Sequence, residues 1–173
     1  MNTSFQPLIP KDFNENSHVW IYQANRPFTN HETEKINEQL GHFASTWLSH
    51  GQRVKGFATV LFNRFIIFMA DETASGVGGC STDSSVRLLK SIEKEFTVSL
   101  FDRQVLAFIV KDKIQLIPLS KINVCLEEKM IDSDTPYFNN TILTKQELIN
   151  SWIIPLKESW LARRIESLHK SVR

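Results

Sequence analysis

Apolar residues recur along this chain with two different periods, and the places where the period changes mark its elements. Val19-Trp20-Ile21-Tyr22 reads as a first strand, ended by the turn-forming Asn25-Arg26-Pro27. Ile36, Leu40, Phe43, Ala44 and Trp47 then repeat at helical spacing. Thr29 and Glu32 form a capping box at the start of that helix, and Ser49-His50-Gly51 stops it. From Phe57 to Ala70 the chain is rich in Phe, Ile and Val and is interrupted by Asn63-Arg64, which predicts two antiparallel strands. Asn63 supplies the positive φ that their tight turn needs. Val86, Leu89, Ile92 and Phe96 predict a second amphipathic helix starting near Ser81 to Asp83 and packing on the same sheet.

Beyond it, Gln104–Val110 and Ile114–Leu119 form a second hairpin about Lys111-Asp112-Lys113, with Pro118 marking the later strand as an edge. Ser120 is placed as the cap of a short third helix carrying Ile122, Cys125, Leu126 and Met130. Residues 131–141 read as a loop. Thr144 and Glu147 form another capping box, with Leu143 and Leu148 as a hydrophobic staple. Pro155 ends or kinks that helix and opens a last one, lined by Leu161, Ile165, Leu168 and Val172. The order is β-α-β-β-α-β-β-α followed by two helices. Its first six elements match the split βαβ, ferredoxin-like order. The expected fold is therefore α+β: a mostly antiparallel sheet of about five strands, helices on one face and extra C-terminal helices. A single domain over residues 1–173 is expected, with 1–16 as a flexible lead-in and 144–173 as helices packed on the domain.

Composition supports a chain that folds around its own core. It is 42% hydrophobic and 23% charged, with 12 Phe and 4 Trp. A net charge of +1 gives no general attraction for a polyanion or an anionic membrane, so nucleic acid is not an expected partner. Cys80 and Cys125 sit in no Cys-x-x-Cys arrangement, which argues against a disulfide framework or a structural zinc. Neither a signal peptide nor a membrane-length apolar run is legible, and a cytoplasmic protein is expected.

Gly76, Gly78 and Gly79 are three of the six glycines and precede the second helix. Backbone N–H groups and a helix dipole converge at such a loop, which suits a phosphate or carboxylate; the plain alternative is a turn that needs positive φ. The expected ligand-binding set is Gly76, Gly78, Gly79, Ser81, Ser84 and Arg87, with a small anion as ligand. Arg103 is a second candidate for neutralising its charge. Cys80 and Asp83 are the catalytic candidates: the dipole favours the thiolate of Cys80, against which stands an inert thiol. Asp71, Glu72 and Asp83 are weighed as a Mg²⁺ cluster against ordinary roles, Asp83 offsetting the dipole and the other two being solvated. His31, Glu34, Glu38 and His42 fall on the solvent face of the first helix, and no metal or cofactor is assigned.

Lys157, Arg163, Arg164, Lys170 and Arg173 beside Trp152 and Trp160 suggest an alternative: a non-catalytic module meeting a protein or RNA partner, or a second copy, through its C-terminal helices.

Val19-Trp20-Ile21-Tyr22-Gln23, Asn63-Arg64-Phe65-Ile66-Ile67, Gly79-Cys80-Ser81-Thr82-Asp83-Ser84-Ser85-Val86-Arg87 and Lys157-Glu158-Ser159-Trp160 carry a resemblance over residues 17–164. They resemble a family of small, uncharacterised bacterial proteins often labelled as an ABC transporter ATPase. The residues do not support the ATPase part of that label. Gly76 to Thr82 lacks the lysine of a phosphate-binding loop, and no Leu-Ser-Gly-Gly-Gln is present.

Overall fold

The computed structural model describes residues 1–49, 51–73 and 79–163, and of 79–82 the backbone alone. Two compact units emerge, one of Ser4–Asp102 with Thr141–Ile149 and the other of Met1–Thr3, Arg103–Asn140 and Asn150–Arg173.

The first unit is built on β1 (His18–Gln23), α1 (Asn30–Thr46), β2 (Leu48–Ser49), β3 (Gln52–Arg53), β4 (Lys55–Leu61), β5 (Phe65–Asp71) and α2 (Gly79–Phe96). β5 lies between β1 and β4, antiparallel to both, and all seven of its residues are buried. The register places Trp20 opposite Phe68 and Tyr22 opposite Ile66 on one side, and Ala58 opposite Phe68 and Val60 opposite Ile66 on the other. Strand side chains alternate between faces, so these residues share one face. They form a single core with Ile36 and Leu40 of α1 and Leu89, Ile92 and Phe96 of α2. Both helices thus pack on the same sheet, as their periodicity predicts.

Local signals for these elements hold in detail. Thr29 Oγ1 accepts from the Glu32 N–H, and the Glu32 carboxylate accepts from the Thr29 N–H, closing the capping box. The β4–β5 turn places Phe62 at φ 53 and Asn63 at φ 49, with the Arg64 N–H donating to the Leu61 carbonyl. α1 stops at Thr46, earlier than expected, because Trp47 turns extended and Gly51 at φ 77 folds a two-residue hairpin.

The five-stranded ferredoxin-like sheet is not what forms. Its first half exists, with α1 crossing from β1 to β4 and β5 inserted between them. The fourth strand expected beside β1, β6 (Val105–Val110), instead pairs with β7 (Lys113–Pro118) and β8 (Pro136–Phe138). Two contacts already occupy the outer edge of β1 and its continuation. Its start is met by residues 143–144, the Val19 N–H donating to Leu143 O at 2.8 Å. Beyond its end, Asn25 and Ser99 exchange two hydrogen bonds. The segment after α2 is thereby held extended, with Val98 and Leu100 in the core.

In the second unit the sheet order is β7-β6-β8-β9, where β9 is Ile153–Pro155. Lys111 and Asp112, both at positive φ, make the expected tight β6–β7 turn, and Pro118 does lie on an edge strand. Residues 136–138, expected as loop, are a strand. A 3₁₀ turn at Leu119–Lys121 leads into α3 (Ile122–Glu127), so Ser120 caps nothing. Ile122, Cys125 and Ile131 join Phe108, Tyr137, Leu156 and Leu161 in this core.

The Thr144–Glu147 box closes α4 (Lys145–Ser151), but Leu143 is exposed and makes no staple. Of the two expected C-terminal helices the first is α4, which ends at Ser151, and Ile165, Leu168 and Val172 of the last lie outside the described residues. Between them Ile153–Pro155 pairs with β8, since Pro155 has no N–H with which to continue a helix, and a 3₁₀ turn follows at Leu156–Glu158. No described helix is long and apolar enough to cross a membrane.

Gly56 has one evident reason to be glycine. A Cβ there would stand 2.7 Å from Cε3 of the buried Trp47 ring. Gly56→Ala is expected to lower unfolding free energy by about 1–3 kcal/mol through this overlap, measured by urea denaturation. A companion Trp47→Leu change should shrink that penalty by making room.

Candidate functional site

β5 delivers Asp71, Glu72 and Thr73 to the point where the chain leaves the sheet, and α2 takes it up again at Gly79. Gly76 and Gly78 lie outside the described residues. Gly79, Cys80 and Ser81 form the first turn of α2, and their side chains lie outside the description too. Asp83 is the fifth residue of the helix and is exposed, Ser84 is half-buried and Arg87 is exposed. Asp83 therefore stands beyond the first turn, where a dipole-offsetting carboxylate acts most strongly, and the described first turn holds no acidic residue. Arg103, the other cation considered, is exposed and belongs to the second unit.

Asp71 is not a solvated loop residue. It is 4% exposed, and its carboxylate is met by donors from Thr73, Asn14 and Lys55. Oδ1 accepts from the Thr73 hydroxyl at 2.7 Å and the Thr73 N–H at 3.2 Å; Oδ2 accepts from the Asn14 N–H at 3.1 Å and lies 3.4 Å from Lys55 Nζ. These donors, the Thr73 hydroxyl foremost, hold its pKa down to about 2 against the opposing effect of burial. Lys55 is bridged in turn to Asp12, and the buried Lys145 donates to the Phe13 carbonyl at 2.6 Å and the Lys11 carbonyl at 3.2 Å. Together Asp71, Lys55 and Lys145 fasten residues 11–14 to the sheet.

Beside this latch His18 stacks on Trp20, ring centroids 4.3 Å apart and planes within 3°, with its Nδ1 3.7 Å from Glu72. Glu72 is thus engaged with an imidazole. Among the described residues no three His, Cys, Asp or Glu side chains gather as a metal site. The weighed Mg²⁺ cluster of Asp71, Glu72 and Asp83 does not assemble. His31 and His42 are exposed on α1 together with Glu34 and Glu38, and His50 and His169 lie outside the described residues.

Sequence reasoning passed over Lys55, Lys145 and Asn14. Only Asp71-Glu72-Thr73 carried a local signal, since an Asp two residues before a turn residue commonly accepts its N–H. Lys55 meets Asp71 through strand register alone. The C-terminal candidates are dispersed: Trp152 is fully buried against Phe138, Lys157 is paired with Asp134 at 2.6 Å, and the half-exposed Trp160 donates to the Tyr137 hydroxyl. Arg163 is exposed, and Arg164, Lys170 and Arg173 lie outside the described residues.

Compared with protein-family models, curated proteins and solved structures, the chain matches none.

A carboxyl whose pKa falls from 3.8 to about 2 on folding stabilises the folded state above the higher value and loses that effect as pH drops through the lower. Asp71 should therefore contribute about 2 kcal/mol at neutral pH that disappears between roughly pH 4 and pH 2. Asp71→Asn is expected to be less stable at pH 7 and to have a shallower acid limb in urea titrations. Part of that limb should remain, because Glu32, also held to about 2 by Arg26 and the Thr29 N–H, titrates in the same window.

Proposed function

We propose that the protein binds a small anionic ligand, a phosphate or carboxylate, at the N-terminal end of α2, with Gly76, Gly78, Gly79, Ser81 and Ser84 around it and Arg87 neutralising its charge. The observation that carries this reading is a contrast among helix starts. α1 and α4 both have a glutamate in the first turn and a closed capping box. α2, with 18 residues the longest of the described helices, has no acidic residue in its first turn, and exposed Arg87 lies two turns further on. An anion there would offset the positive end of the helix and accept hydrogen bonds from N–H groups of its first turn. Asp71 and Glu72 do not oppose it as free charges, since donors already surround the first and His18 stands beside the second.

Binding is the assigned role. Cys80 and Asp83 remain the residues to examine for chemistry once a ligand is in hand. The competing reading, a module that meets partners through C-terminal helices, has lost Trp152 to the core and Lys157 to an ion pair, and no observation favours it.

Titration of ¹⁵N-labelled protein with inorganic phosphate and with citrate should move the amide resonances of residues 79–84. Arg87→Glu should weaken the apparent affinity about tenfold, as expected for reversing one nearby charge. Resonances in this region that stay still at tens of millimolar of either anion would remove the basis for the reading.

A further inference from the structure

At the end of β5 away from Asp71, the β4–β5 turn carries a buried cation with no counter-ion among the described residues. Arg64 is only 7% exposed. Its side chain makes one hydrogen bond, Nη1 donating to the Ala24 carbonyl at 3.1 Å, and no carboxylate lies within ion-pairing distance of it among the described residues. Arg26, two residues beyond Ala24, shows what an arginine in this part of the fold does when supplied with an acid. Its guanidinium holds both oxygens of Glu32 at 2.8 and 2.9 Å and also donates to the Phe96 carbonyl. The two sites differ electrostatically as well: Glu32 raises the pKa of Arg26, whereas burial alone acts on Arg64 and lowers it.

A guanidinium stays charged in proteins, and enclosing one without a partner is strongly unfavourable. Its unbonded nitrogens are not sealed off. Ser17 Oγ and Thr33 Oγ1 are the fully enclosed side-chain polar atoms that lack a hydrogen-bond partner among the described residues, so the remaining N–H donors of Arg64 keep a narrow contact with solvent. The surrounding backbone is fixed: Ala24 donates to the Arg64 carbonyl, Phe28 to the Asn63 carbonyl, and the Asn63 amide to Asn30 Oδ1. The donors therefore sit at a set position instead of on a mobile arm. A planar fork of N–H groups held in this way suits an oxyanion that accepts two parallel bonds.

We propose that Arg64, held between the β4–β5 turn and the loop after β1, forms a second anion-binding site that takes a small oxyanion, either free phosphate or a carboxylate. It is separate from the site proposed at α2, and neither depends on the other.

The test is a thermal-unfolding series on the full chain in inorganic phosphate, in acetate, and in sodium chloride of matched ionic strength, with wild type, Arg64→Met, Arg87→Glu and the double variant carrying both changes. The proposal expects Arg87→Glu, in which the α2 site is weakened, to keep a midpoint about 3–5 °C higher in saturating phosphate or acetate than in chloride, and the double variant to lose it. Whichever anion acts identifies the source. Without added oxyanion, Arg64→Met should be at least as stable as wild type, since it removes an unpaired buried charge. Should Arg64→Met fail to fold, the Arg64 Nε–H resonance of the wild-type protein decides: it must shift saturably with phosphate or acetate. An unmoved resonance, a stabilisation equal in chloride, or one that the double variant keeps in full would overturn the proposal.

Discussion

A strand with no exposed residue has no water to satisfy its backbone, and β5 is such a strand from Phe65 to Asp71. Its N–H and C=O groups must find partners on both sides, which obliges β1 and β4 to run alongside it in fixed register. From that constraint follow the shared apolar face, the docking of α1 and α2 on it, and the location of everything chemically notable. Asp71 is where the strand ends, and Arg64 is the residue just before it begins. The ends of a buried strand are also where polar side chains first become tolerable, so charges collect there without being accidents of surface composition.

Three buried charged groups in the first unit show how differently this can be resolved. Asp71 has four donors around its two oxygens, from Thr73, Asn14 and Lys55. Lys145 has two backbone carbonyls, an arrangement that also fixes residues 11–13. Arg64 has one carbonyl. The first two are explained as fasteners, each joining parts of the chain distant in sequence. The third joins the turn to Ala24 with a single bond while leaving most of its hydrogen-bonding capacity unused, an economy that structural roles rarely show.

What could be read from the residues was what depends on neighbours three or four positions away. Thr29 with Glu32 and Thr144 with Glu147 fold as local spacing requires, and Asn63 and Asp112 take the positive φ their turns demand. Pairing between distant strands was less accessible. Pro136-Tyr137-Phe138 has a proline and too few residues to alternate, yet it becomes a strand between β6 and β9 because both edges were open to it. Ile153–Pro155 sits where a helix was expected, for the same reason. At the candidate site the helix after the glycines was legible, and the Lys55–Asp71–Asn14 latch was not, since its members meet only after the sheet has formed. Arg64 read as a turn residue; its burial and its bond to Ala24 appear only once the sheet has formed.

The bond from Val19 to Leu143 has a consequence for the order in which the protein can be made. The first unit draws on Ser4–Asp102 and then on Thr141–Ile149, with 103–140 belonging to the other unit. As the chain emerges from the ribosome, β1, β4 and β5 can pair early, but the segment that meets one edge of β1 and the lysine that holds residues 11–13 arrive only after residues 103–140 have been made. Until then the nascent sheet presents an unprotected strand edge, the feature most prone to pairing with another chain. Completion of the first unit thus waits on synthesis of the 103–140 segment that belongs to the other.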